Sequence, residues 1–150
     1  MTHPEYNIRL ATVADACALT AVMSAAREAA LPYLPKLYSR AQLESWMRET
    51  VLQHCRVWVA EADAEMVGLL ALDGEELHHL YIHPDYWSQG IGSRLLAIAK
   101  QQSAKLRLYT FQRNTRARRF YRYHGFKEVS LSDGAGNEEQ EPDVLLEWEA

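Results

Sequence analysis

Apolar and polar positions change period several times along the 150 residues, and each change predicts an element. "NIRLA" (7–11) alternates and predicts a short strand. Thr12 then caps a helix, with Asp15 in the position of a capping box. Ala16, Leu19, Met23, Ala26 and Ala30 follow at three- and four-residue steps. The prolines of "LPYLP" (31–35) stop that helix. Ser39 and Gln42 form a second capping box, for a helix that carries Leu43, Trp46 and Met47.

The middle of the chain reads as strand. "CRVWVAEA" (55–62) turns at "DAE" and returns as "MVGLLALD" (66–73), and "LHHLYIH" (77–83) is a third strand. After Gly90 the period lengthens, and Ile91, Leu95, Ile98 and Ala99 share one helical face. "LRLYTF" (106–111) is a strand with Leu106, Leu108 and Thr110 on one side. Asn114 caps a further helix with Ala117, Phe120, Tyr121 and His124 on one stripe, and Gly125 ends it. "FKEVSL" and "VLLEWE" are the last strands, separated by the polar loop 132–142.

This order predicts one domain over 1–150, a mixed α/β fold with helices on both faces of a central sheet. The crossover from "LHHLYIH" through the Gly90 helix to "LRLYTF" is expected to be parallel. The longest apolar run, "MVGLLAL", is too short to span a bilayer, and the N-terminal "MTHPEYNIRL" lacks the apolar core of a signal peptide. A net charge of −4 gives no electrostatic footprint for nucleic acid. Cys17 and Cys55 have no metal-ligand spacing and read as two packed thiols of a reduced, cytoplasmic chain. His78, His79 and His83 suggest a metal only weakly, because adjacent strand residues face opposite ways. His124 is placed to complement a helix dipole.

The chemistry concentrates in "HPDYWSQGIGSRLL" (83–96). Gly90 and Gly92 lie where a strand enters a helix, so unpaired N–H groups and a favourable dipole converge there. Either a tight turn or a phosphate site accounts for the pair. No Lys follows Gly92, as a P-loop requires, and Leu95 stands where a dinucleotide fingerprint has a third glycine.

Two segments together decide further. Gln89, Gly90, Ile91, Gly92 and Ser93 match the acetyl-CoA pyrophosphate loop of the GNAT superfamily of N-acetyltransferases, which this chain resembles over nearly its whole length. Asn114, Ala117, Phe120, Tyr121, Gly125 and Phe126 match that family's second motif. Trp87 departs from the pattern, standing where the family keeps Arg or Gln. The resemblance implies a mostly antiparallel central sheet flanked by helices. It implies transfer of an acetyl group from acetyl-CoA to a primary amine of a small molecule or peptide, by direct attack in a ternary complex and without a metal.

The residue roles follow from the same resemblance. The backbone from Gln89 to Arg94 holds the pyrophosphate. The strand around Tyr81 and Ile82 polarises the carbonyl. Asn114 contacts the CoA arm, and Tyr121 protonates the departing thiolate. The base is Glu76, His78 or a water chain. Transfer of another acyl group, or a CoA sensor without chemistry, are the rival readings. The acceptor is expected between residues 28–46 and the last loop, where Tyr33, Tyr38 and Trp46 offer aromatic faces. Asp133, Glu138, Glu139, Glu141 and Asp143 are expected to draw in a small cationic amine. Dimerisation is common in the family.

Overall fold

A computed structural model describes residues 6–150. Residues 1–5 of the N-terminal segment read above lie outside it. Strand β1 (Asn7–Leu10) leads through a 3₁₀ turn, Val13–Asp15, into α1 (Ala16–Ala30). Helix α2 (Arg40–Trp46) starts at the Ser39–Gln42 capping box, as its sequence predicts, and runs through a π segment (Met47–Val51) into α3 (Leu52–His54). The strands β2 (Arg56–Ala62), β3 (Glu65–Asp73) and β4 (Glu76–Ile82) form a meander. Helix α4 (Ile91–Gln102) crosses to β5 (Lys105–Phe111), and α5 (Thr115–Tyr123) precedes β6 (Lys127–Ser132) and β7 (Asp143–Glu149).

The seven strands lie in the order β1-β2-β3-β4-β5-β7-β6. All neighbours are antiparallel except β4 and β5, which the α4 crossover makes parallel. The last two strands pair with each other, but β7 rather than β6 lies against β5, leaving β6 at the edge.

The sheet separates two apolar layers. Leu95, Leu96, Tyr121 and Phe126 pack with Leu70, Leu106 and Leu146 on the α4/α5 face. Leu19, Met23, Met47 and Val51 pack with Val59 and Leu69 on the α1/α2 face. Burying a large aliphatic side chain contributes about 1.5–3 kcal/mol, so these layers hold both helix pairs to the sheet. Cys17 is exposed and Cys55 half-buried, so the expectation of two packed thiols fails for Cys17, which lies on the outer side of α1. Among the described residues no helix is long and apolar enough to cross a membrane.

Candidate active site

The parallel pairing of β4 and β5 is confined to one register pair, Glu76 with Arg107. Beyond it the two strands diverge. A cavity of about 620 Å³ fills the gap and passes through the sheet. One end is lined by the glycine turn, α4 and α5 (Gly90, Gly92, Ser93, Tyr121), the other by α1 (Arg27, Leu31).

The divergence also leaves backbone groups of β4 without a strand partner. His83 N–H donates to Val67 O of β3 at 2.8 Å. Alternation along an antiparallel ladder then turns Tyr81 toward β3, and the N–H groups of Leu80 and Ile82 toward the gap. Of the two residues expected to polarise a carbonyl, Ile82 therefore presents its amide to the cavity, while Tyr81 contributes its side chain.

Gly90 is the N-cap of α4 in the left-handed region (φ +85°), where glycine alone is unstrained, and a Cβ there would meet no atom within 4 Å. No side chain caps this helix, so its first N–H groups stand free for a guest. Gly92 serves packing: a Cβ on it would lie 3.4 Å from the Phe120 ring. Gln89 accepts from the Tyr6 hydroxyl, and Arg94 donates to the Tyr6 carbonyl at 3.3 Å, so both side chains tie the turn to the start of β1. Ile91 is buried beneath it.

Trp87 has a definite place. Its indole N–H donates to the Ile82 carbonyl at 2.7 Å, and the Arg116 guanidinium lies over its ring at 4.4 Å. Arg116 also donates to Ser88 Oγ at 3.1 Å. Arg116 and Arg119, on the first turns of α5, both line the cavity beside the glycine turn. Among the lining residues there is no Asp or Glu, so the turn's surroundings suit an anion. Neither arginine is among the site residues expected from the sequence. The signal lay in the run "RARR" inside the second motif.

Asn114 caps α5, its side-chain oxygen accepting from Ala117 N–H at 3.1 Å, and it also lines the cavity. Tyr121 is 6% exposed and lines the same space. Burial, with Tyr81 close by, pushes its phenol up, which keeps the proton on it. Ser93 Oγ lies 3.0 Å from His124 Nε2. Burial and then Lys100 push the His124 imidazole down. Lys100, which donates to the His124 carbonyl at 2.6 Å, supplies the charge at the end of α5 in place of the expected His124.

Glu76 is not brought to the cavity. It lies where β4 and β5 are still paired, in an ion pair with Arg107 at 3.3 Å. His78 lines the cavity and is exposed. The ladder pairs Leu77 with Leu72 and His79 with Ala71, which leaves His78 as the extra residue of a bulge. The bulge overturns the expectation of opposite faces: the rings of His78 and His79 lie 6.2 Å apart and both line the cavity. No group of three or more His, Cys, Asp or Glu placed to hold a metal occurs among the described residues.

The acidic loop is engaged rather than free. Glu139 pairs with Arg27 at 3.2 Å, Glu138 accepts from the Tyr38 hydroxyl at 2.6 Å, and Glu141 takes Arg113 in a fork at 2.9 and 2.6 Å. Arg113 also sits 3.4 Å from the centre of the Tyr33 ring. Asp143 accepts from Ser132 Oγ at 2.7 Å, and Asp133 from Ala135 N–H at 3.0 Å. These contacts strap the loop over α1 and the α1–α2 connection. Two of the five carboxylates expected to steer cations, Glu139 and Glu141, are thus paired with arginines, which reduces the charge they offer to an incoming amine.

A sequence profile described as "Acetyltransferase (GNAT) domain" matches residues 53–128. The chain is 34% identical over 128 residues to the peptidyl-lysine N-acetyltransferase YjaB of Salmonella typhimurium (strain LT2), spanning 85% of this chain and 87% of that protein. It is 28% identical over 103 residues to the peptidyl-lysine N-acetyltransferase YiaC of Escherichia coli K12, spanning 68% and 69%. The solution structure of apo YjaB from Escherichia coli superposes with a TM-score of 0.80 at 26% identity, over 96% of this chain and 97% of that one. A PaiA N-acetyltransferase from Thermoplasma acidophilum in complex with coenzyme A superposes at 0.71 with 25% identity, over 97% and 99%. The glycine turn, the divergent strands and these likenesses agree: the chain belongs to the GNAT family and is an N-acetyltransferase.

Proposed function

We propose that this protein moves an acetyl group from acetyl-CoA to a primary amine, with both substrates held at once in the through-sheet cavity. The names of the relatives favour a lysine side chain of a peptide as the acceptor. The observation that carries the reading is the continuity of the cavity. It joins an anion-suited turn on one face of the sheet to an opening under α1 on the other, and Tyr121 lines the passage.

The residues fit acetyl-CoA, which supplies an activated thioester. The N–H groups from Gln89 to Arg94, with Arg116 and Arg119, hold the phosphates. The Ile82 amide holds and polarises the acetyl carbonyl. Tyr121, protonated well beyond neutral pH, delivers a proton to the leaving sulfur. Positioning supplies much of the rate, because both reacting groups meet in one enclosed passage. An acetylation screen over small amines and Nα-blocked lysine peptides, read by thiol release and peptide mass, tests the reading. Amine-dependent release with acetyl on the amine supports it. CoA binding without release, or release only with a different acyl-CoA, replaces it with one of the two rival readings.

A further inference from the structure

The α1 end of the cavity carries a charge that the steps above do not use. Arg27 lines it from the last turn of α1, with Ala26, Ala30 and Leu31 beside it. His78, His79 and Tyr81 face the same space from β4. No Asp or Glu lines the cavity, so its wall is cationic even where an amine has to enter. The Arg27 side chain is 33% exposed, which lets it meet both the solvent at the opening and the passage inside.

The way Arg27 is held sets it apart from several other arginines of the chain. Its one carboxylate partner among the described residues is Glu139 of the strap, and only Nη2 reaches it, at 3.2 Å. Arg9 on Asp15, Arg113 on Glu141 and Arg118 on Glu128 each close on the acid with two nitrogens. That fork is the strong and geometrically selective form of the contact. Arg27 leaves its fork open: Nε and Nη1 donate to no described residue, and neither is enclosed. Glu139 does not line the cavity, so it holds the guanidinium from outside and leaves the inner edge to a guest.

A lysine acceptor brings a long apolar stem with a cation at its tip. Ala26, Ala30 and Leu31 suit the stem, but Arg27 repels the cation unless the acceptor carries negative charge of its own close by. A carboxylate next to the lysine meets both needs. It closes the open fork, and it keeps the peptide backbone at the opening while the lysine side chain runs inward. We propose that Arg27 selects the acceptor, a peptide lysine flanked by Asp or Glu whose carboxylate takes the free edge of the guanidinium. The proposal rests on the acetyl-transfer reading above and names the substrate class of that site. Arg27 touches the flanking residue and not the reacting atoms, and Glu139 acts through Arg27 as a positioning residue.

The test uses the whole protein, acetyl-CoA and three Nα-blocked, C-amidated peptides. They differ only in the residues on either side of one lysine: glutamate, glutamine or arginine. With wild type, kcat/KM should be about tenfold higher for the glutamate peptide than for the glutamine peptide, and lowest for the arginine peptide. The difference should lie mostly in KM. It should shrink with salt, as the Debye length falls from about 10 Å at 0.1 M to about 3 Å at 1 M. Arg27→Gln should bring the glutamate-to-glutamine ratio close to unity. Glu139→Gln removes the outer tie and keeps the guanidinium, so the preference for glutamate should persist. Exchanging the pair, Arg27→Glu with Glu139→Arg, keeps opposite charges across the strap and reverses the sign at the cavity wall. That variant should prefer the arginine peptide. Equal kcat/KM for the three peptides with wild type would overturn the proposal, whether or not the variants fold. So would a glutamate preference that survives Arg27→Gln, which would leave Arg27 as a fastening of the strap. If wild type acetylates no amine at all, the acetyl-transfer reading has failed and the proposal falls with it.

Discussion

The Trp87 indole N–H donates to the Ile82 carbonyl at 2.7 Å, which binds the glycine turn to the strand beside the gap. Ile82 offers that carbonyl because it is out of phase with the β3 ladder, and its amide faces the gap for the same reason. One side chain thereby fixes the Ile82 amide, proposed to meet the acetyl carbonyl, relative to the turn proposed to hold the phosphates.

Trp87→Phe keeps a ring under Arg116 and removes the N–H. A half-buried carbonyl left without its partner costs about 1–3 kcal/mol. Calorimetry should show CoA affinity reduced by roughly five- to tenfold, with the fold intact by circular dichroism. An unchanged dissociation constant would mean that the turn holds its place without the indole.

The two glycines should respond differently. Gly90→Val forces a β-branched residue to φ +85°, a strain of order 1–3 kcal/mol at the proposed phosphate turn. It should weaken CoA binding at least tenfold. Gly92→Val presses on Phe120, and through it on α5, so it should lower the melting temperature more than Gly90→Val does. Thermal melts and calorimetry of both variants separate the roles, and equal effects on both readouts would merge them.

Tyr121→Phe removes one hydroxyl from a side chain that is 6% exposed. Turnover should drop by roughly 10²- to 10⁴-fold while CoA affinity stays within about twofold. Because burial raises the phenol, the wild-type rate should show no loss of the acid form below about pH 10. Wild-type turnover in the variant would leave Tyr121 as packing only.

The strap over α1 makes its own prediction. Replacing Glu138, Glu139 and Glu141 by Gln breaks its contacts to Tyr38, Arg27 and Arg113. Hydrogen exchange should speed up in residues 133–142, and the apparent KM for a peptide acceptor should rise, with CoA binding unaffected. Protection equal to wild type would show that the hydrogen bonds inside the loop suffice.

Acid stability should depend on Asp15. The Arg9 guanidinium, donating to both its oxygens at 2.9 Å, holds the carboxyl down to about 2. A folded value below the unfolded one stabilises the protein above the unfolded value near 4, and that contribution is lost as pH falls from about 4 through 2. Its size is at most about 2.5 kcal/mol, and less after screening of the part-exposed Arg9. Asp15→Asn should lower stability at pH 7 and flatten its decline below pH 4 in urea titrations. Parallel curves for the two proteins would assign the acid sensitivity elsewhere.

Local rules made much of this legible in the chain. The Ser39–Gln42 box, the Asn114 cap and the left-handed Gly90 and Gly125 depend on neighbours in sequence, and the structure has all four. The two glycines and Asn114, Ala117, Phe120 and Tyr121 of the second motif line the same cavity. What escaped depended on single residues or distant partners. Glu76 came from the family resemblance, but one extra residue at His78 shifts the pleat of β4, so Glu76 lies outside the cavity while His78 and His79 both line it. The ion pairs of the acidic loop escaped as well, because Arg27 and Arg113 lie more than 25 residues from the acids they bind. Trp87 looked like a loss from the family pattern, and its partner, the Ile82 carbonyl, shows only when the β3–β4 ladder is drawn.

Direct transfer to an amine inside the through-sheet cavity, as proposed above, is checked by intact-protein mass and thiol release measured side by side. The protein is mixed with acetyl-CoA alone, and an Nα-blocked lysine peptide is added afterwards. Direct transfer gives no thiol and no acetylated protein before the peptide, then one thiol released for each acetyl group found on the peptide amine. Acetyl-protein accumulating before the peptide, or thiol release indifferent to it, would rule out direct transfer.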